Sequence, residues 1–178
     1  MIATKPMTIA DLDLLDLDMR NDEIIDGVLG QRKTLGKPHW HHGFDLGRHA
    51  GNFAASNNLG ELYTSDTNFI IAKDPPSLLH PDFAFVRADR LRPEDLHSGY
   101  YDMVPDLVVE VVSPRNHHAD VAWKVERRQR AGAPLIWVVE PAPQAIVVYA
   151  DGQEPRSIGI DGRDVFPGFL LPVRNIFR

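Results

Sequence analysis

The run "PDLVVEVVSP", Pro105 to Pro114, sets one carboxylate, Glu110, inside an otherwise apolar stretch from Leu107 to Val112. A charged carboxylate taken out of water without a partner is costly, so this residue demands a cation, a hydrogen-bonding group or a metal beside it. Side chains alternate along a strand: Asp106, Val108, Glu110 and Val112 share one face, and Leu107, Val109 and Val111 the other. A second acid, Asp82, opens another alternating run, "PDFAFV", with Phe83 and Phe85 on the face opposite to it. If the two strands lie side by side, the acids converge at one edge of a sheet and repel unless a cation or a shared proton stands between them. Hard oxygen ligands of this kind suit Mg²⁺ or Mn²⁺.

A lysine follows. "DVAWKVERRQRAG" reads as a helix in which Asp120 and Lys124 stand at i, i+4. By spacing alone the pair reads as an exposed helical ion pair, worth roughly 0.3–0.5 kcal/mol. The same helix carries Arg127, Arg128 and Arg130, and a second basic group holds Arg87, Arg90 and Arg92. With a net charge of −6, the chain cannot bind nucleic acid merely by being basic, so any such binding has to be local to strips like these. A charge run is more often a solvated helix face than a ligand site.

Other chemistry finds less support. His39, His41 and His42 in "HWHHG" lack the HExxH spacing of a zinc site and read as surface or capping residues. Ser113 has no G-x-S-x-G elbow around it and reads as a turn residue closing a strand. Glycine-rich phosphate loops are absent, and the chain has no cysteine, which rules out disulfides, thiolate metal sites and cysteine nucleophiles.

The elements that must position these residues follow from periodicity and turn chemistry. Thr8 to about Leu17 reads as a short amphipathic helix, and Asp26-Gly27 as the tight turn of a hairpin. His39 to Ser56 reads as a second helix with Phe44, Gly47 or Arg48, and Phe53 on one face. "ELYTSDTNFIIA" reads as two short strands or one bent one, and "KDPPSLLH" as a loop, because paired prolines continue neither helix nor sheet. "PDFAFVR" and the Glu110 run are strands, and Asp120 to Ala131 is a helix ended by Gly132. "LIWVVE" and "AIVVYA" form a hairpin, and the tail "VFPGFLLPVRNIF", broken by Pro167 and Pro172, is expected to pack without regular structure. This order implies an α/β or α+β domain with one mixed sheet.

The chain has 178 residues, 43% of them hydrophobic and 25% charged, which suits one folded domain over residues 1–178. No apolar run reaches the roughly eighteen residues of a membrane span, and the acidic N-terminal stretch is unlike a signal peptide. A cytoplasmic protein without membrane contact is expected.

Four segments in order, "HPDFAFV", "PDLVVEVVSP", "DVAWK" and "AGAPLIWVVEP", with "DEIIDGVLG" and a histidine-bearing helix start ahead of them, resemble the Uma-two-like endonucleases of the PD-(D/E)XK, or restriction-endonuclease-like, superfamily. The resemblance implies that fold, a divalent ion (Mg²⁺ or Mn²⁺) held by Asp82, Glu110 and the backbone carbonyl of Val111, and hydrolysis of phosphodiester bonds in DNA. It also implies that the superfamily's lysine, expected two positions after the glutamate where Val112 stands, has migrated to Lys124. Glu23 matches an acid near the site, and His41 or His42 a histidine at its edge, while Asp120 lies one turn from the lysine. Arg127, Arg128 and Arg130 would supply contacts to a nucleic acid, and a homodimer is expected. The chain departs from the family pattern at Arg128, where a tyrosine is usual, and at Leu135 and Ile136, where an acidic–aromatic pair is usual. These departures leave room for a second reading, a non-catalytic nucleic-acid-binding or assembly protein that keeps the nuclease fold.

Overall fold

The computed structural model describes residues 6–12, 14, 22–31, 37–92, 96–97, 100–112, 118–150, 152–155 and 160–177. Ser113 lies outside them, as do positions 13 and 15–17 of the Thr8–Leu17 stretch, within which α1 (Ile9–Leu12) is described. The other elements are β1 (Asp22–Ile25), β2 (Val28–Gln31), α2 (Lys37–Asn57), β3 (Gly60–Thr64), β4 (Asn68–Lys73), β5 (Pro76–Leu79) and β6 (Phe83–Arg87). They continue with β7 (Leu96–His97), β8 (Tyr100–Tyr101), β9 (Leu107–Val111), α3 (His118–Arg130), β10 (Leu135–Glu140), β11 (Ala145–Ala150), β12 (Ile160–Asp161) and β13 (Leu170–Leu171).

These strands form two larger sheets, where the sequence pattern suggested one. The first has the order β11-β10-β9-β6-β3 and the second β2-β1-β5-β4-β8-β7, with β12 and β13 as a separate pair. "ELYTSDTNFIIA" is thus two strands in different sheets, β3 in the first and β4 in the second. Each sheet is mixed: β9 runs parallel to β10 and antiparallel to β6, and β4 runs parallel to β8 and antiparallel to β5.

β9 is the middle strand of its sheet and is buried along its whole length, which is why it reads as a continuous apolar run instead of an alternating one. At the sheet's edge, β11 buries only Ile146, Val148 and Ala150, the strict alternation of a strand with one wet face. On one side of β9, Leu107, Val109 and Val111 pack with Phe83 and Phe85 against Leu46, Ala50 and Ala54 of α2. Phe166, Phe169, Leu171 and Ile176 of the tail close the same cluster. On the other side, Val108 packs with Ile136, Val138 and Val125 of α3.

Several expectations about local structure are corrected. The buried stripe of α2 is Leu46–Ala50–Ala54, and Phe44 points to solvent at 68% exposure. The small residues win because α2 lies close on the sheet: a Cβ on Gly43 would stand 3.3 Å from Val111 Cγ2. "KDPPSLLH" contains β5, an interior strand. Pro76 is tolerated as its first residue, where its carbonyl accepts from the Gly27 N–H at 2.8 Å. The tail forms β13 and a 3₁₀ turn at Val173–Asn175.

Turn chemistry reads through as expected elsewhere. Asp26 and Gly27 both have positive φ, 51° and 75°, the pairing a two-residue hairpin favours. Gly132, φ 91°, stops α3 two residues past its end, with Gly132 N–H donating to the Gln129 carbonyl and Ala133 N–H to the Arg128 carbonyl.

Candidate active site

The antiparallel register of β6 on β9 pairs Phe83 with Val109, and Asp82, the residue just ahead of β6, sits beside the next stretch of β9. Glu110 lies on the sheet face away from the Phe83–Val109 cluster. Asp82 is pinned at the head of β6: its N–H donates to the Val109 carbonyl at 3.0 Å, and its Oδ2 accepts from the Val111 N–H at 2.6 Å. In an extended strand a residue's N–H and C=O point to the same side, so the Val111 carbonyl shares the edge that faces Asp82.

Glu110 is buried, 6% exposed, and both its oxygens face cations. Arg128 Nη2 donates to Oε1, and Lys124 Nζ lies 3.5 Å from Oε2. Lys124 and Arg128 stand one turn apart on α3, which the buried side chain of Val125 anchors among Val108, Ile136 and Val138. The Lys124 that spacing alone would pair with Asp120 on the helix surface is therefore turned to the strand. Asp120 is exposed one turn ahead of it.

Arg128 is not a surface residue. It is 1% exposed, so the expectation that it contacts a nucleic acid is corrected: a guanidinium at that depth and paired with Glu110 cannot reach a phosphate backbone. Its place in the structure is that of the countercharge of a buried carboxylate. Arg130 is exposed and paired with Glu126 on its own helix. Arg127 crosses to the other sheet, donating to Asp26 Oδ2 and Oδ1 at 2.9 and 2.6 Å and to Ser77 Oγ at 2.9 Å, with its guanidinium 5.0 Å from the Trp123 ring centre. That bidentate pair holds the Asp26 carboxyl below its ordinary value and pushes Arg127 up.

Asp106 repeats the theme. Buried on the same face as Glu110, it accepts from Arg90 Nη1 at 2.7 Å and from the Arg87 N–H at 3.0 Å. Arg90 also donates to the Val104 carbonyl at 3.0 Å. Neither the Asp106–Arg90 pair nor the Arg127–Asp26–Ser77 network follows from the sequence pattern. The only signal for the first is that Asp106 and Glu110 share a strand face near an arginine group.

The remaining candidates are dispersed. Glu23 lies on β1 of the second sheet, near enough to Arg127 to support its charge. His41 is largely exposed, 3.5 Å from Asp45, and His42 Nδ1 lies 3.2 Å from the Ile176 carbonyl with its ring edge-on to Phe177. Both histidines thus have partners away from the two acids.

Among the described residues no group of three or more His, Asp or Glu side chains could hold a metal ion. The oxygens at hand are the carboxylates of Asp82 and Glu110 and the Val111 carbonyl. That smaller set still suits Mg²⁺ or Mn²⁺, since Mg²⁺ keeps several waters and needs only one or two protein carboxylates.

The family model Uma2, described as "Putative restriction endonuclease", matches residues 11–174. None of the curated proteins matches the chain. Among solved structures, one described as a "putative nuclease belonging to DUF820" from Anabaena variabilis ATCC 29413 superposes with a TM-score of 0.82. The likeness covers 97% of this chain and 98% of that one at 15% identity, and is one of fold. A match running from residue 11 to residue 174, on a chain with this shared architecture, places the protein in the Uma2 family of restriction-endonuclease-like proteins.

Proposed function

We propose that the protein is a divalent-metal-dependent nuclease that hydrolyses phosphodiester bonds in DNA. The observation that carries the reading is the approach of Lys124 to Glu110, 3.5 Å, with Asp82 accepting from the N–H of Val111, the residue that follows the same glutamate. Asp82, Glu110 and the Val111 carbonyl would hold Mg²⁺ or Mn²⁺. When bound, such an ion lowers the pKa of a water and offsets negative charge on the scissile phosphate.

The chain's own residues do the rest. Asp82 is aimed by the Val111 N–H, so its carboxylate needs little reorganisation. Lys124, about one-fifth exposed, reaches from the helix toward the phosphate position and stabilises charge that develops there. Arg130, at the exposed end of the same helix, provides the contact to the nucleic-acid backbone. The proposal takes residues 1–178 as one domain acting in the cytoplasm as a homodimer. Among the described residues, no helix is long and apolar enough to cross a membrane.

The test is a nicking assay on supercoiled, linear duplex and single-stranded DNA with Mg²⁺, Mn²⁺ or a chelator. Metal-dependent cleavage lost in Asp82→Asn supports the proposal. DNA binding without cleavage at any metal concentration would move the protein to the non-catalytic reading, which the buried pairing of Arg128 with Glu110 favours.

A further inference from the structure

We infer that Arg128 sets the metal affinity of this site by competing for Glu110 as a built-in cation, an inference that rests on the metal-binding reading above. Two cations meet the Glu110 carboxylate near the end of β9, beside the head of β6. Asp82, held beside Val111, and Glu110 supply two negative charges, and Lys124 and Arg128, both paired with Glu110, return two positive ones. The set is neutral before any ion arrives, whereas the oxygen ligands by themselves would attract a divalent ion strongly.

The two cations are not equivalent. Lys124 stands 3.5 Å from Oε2 with a side chain about one-fifth exposed, so it can swing toward water when an ion takes that oxygen. Arg128 cannot. It is buried, Glu110 is the one carboxylate it touches among the described residues, and its Nη1 is already buried without an acceptor. An ion that draws Glu110 away leaves a guanidinium charge in the interior with nothing to answer it, which is the expensive way to break a buried pair.

Arg128 also orients Glu110, which by itself would favour metal binding. That contribution is small, because Glu110 is held in the middle strand of the sheet with buried neighbours on both sides. The repulsion is large, because Arg128 and Glu110 are buried and poorly screened. Competition therefore outweighs orientation, and this chain should bind divalent ions weakly.

The experiment is a calorimetric titration of Mn²⁺, and separately of Mg²⁺, into the full chain and into Arg128→Met, Arg128→Gln and Arg128→Lys, each checked by circular dichroism. The neutral variants should bind about tenfold tighter or more, and the lysine variant should stay near the wild type. Glutamine keeps an N–H donor toward Glu110, so it serves where methionine leaves Glu110 too poorly solvated to fold. A folded neutral variant that binds no tighter than the wild type overturns the inference, as does the absence of metal binding in every folded protein. Independently of any variant, the side-chain nitrogen resonances of Arg128 should shift as Mg²⁺ saturates the wild type, and unmoved resonances overturn it too. Cleavage of DNA by proteins whose metal affinity ignores residue 128 sinks this inference and leaves the nuclease. Tighter metal binding by the neutral variants without cleavage of any DNA keeps the inference and sinks the nuclease.

Discussion

Lys124 Nζ lies 3.5 Å from Glu110 Oε2, across the gap between helix α3 and strand β9. Spacing along the helix pairs Lys124 with Asp120, but burial of Val125 fixes the roll of α3 so that the side chains beside it, Lys124 and Arg128, both meet the strand carboxylate. If Lys124 acts on the transition state, Lys124→Met should lower the cleavage rate by on the order of 10²-fold or more, the scale of losing one oxyanion donor, with DNA affinity nearly unchanged. Single-turnover kinetics at saturating enzyme make the measurement. Val112 packs with the α3-side cluster, on the same strand face as Glu110, so Val112→Lys in that background should restore part of the rate.

Asp82→Asn tests the metal. Asparagine keeps an oxygen to accept the Val111 N–H, so the fold should persist while one negative charge is lost. Mn²⁺ should raise the melting temperature of the wild type and leave that of the variant unmoved, in scans with and without the ion.

Salt dependence separates the arginines. Affinity for a DNA duplex should fall with rising salt, and Arg130→Ala should reduce the log–log slope by about 1, because Arg130 is exposed. Arg128→Gln should leave the slope as it is. A change of slope at the buried residue and none at the exposed one would reverse the assignment of the basic strip.

The Arg127–Asp26 pair ties α3 to the β1–β2 turn, and its contribution should depend on pH. Arg127 holds the Asp26 carboxyl below its ordinary value of 3.8, so the stabilisation is fully present above that pH and is lost as pH falls through the lowered value. Asp26→Asn should therefore cost less than about 1 kcal/mol near neutrality, since Asp26 is 57% exposed and screened. Asparagine tolerates the positive φ at this position, so the backbone should not obscure the result. Urea unfolding at neutral pH and at pH well below 3.8 should show the difference shrink in acid.

Close approach of α2 to β9 predicts a steric effect. Gly43→Leu would force the helix off Val111 and should destabilise the fold by roughly 1–3 kcal/mol. Val111→Ala should recover part of that loss in the double variant, measured as the shift in urea midpoint, because it clears the contacted methyl while leaving the backbone carbonyl in place.

What was legible in the sequence is local. The Asp26-Gly27 turn, the Gly132 stop of α3, the β10–β11 hairpin and the shared face of Asp106 and Glu110 follow from turn chemistry and strand alternation, which depend on neighbours a few residues away. The need of Glu110 for a partner was equally plain, because desolvation of a carboxylate is costly wherever it happens. Tertiary structure decided who that partner is. Arg128 reads as one more member of a basic strip, and only the packing of α3 on β9 turns it inward while leaving Arg130 in water. Likewise, the division of the strands into two sheets, with β3 and β4 in different ones, depends on long-range pairing that a four-residue apolar run cannot specify by itself. Charge and alternation say that a group must be satisfied, and the fold chooses the residue that satisfies it.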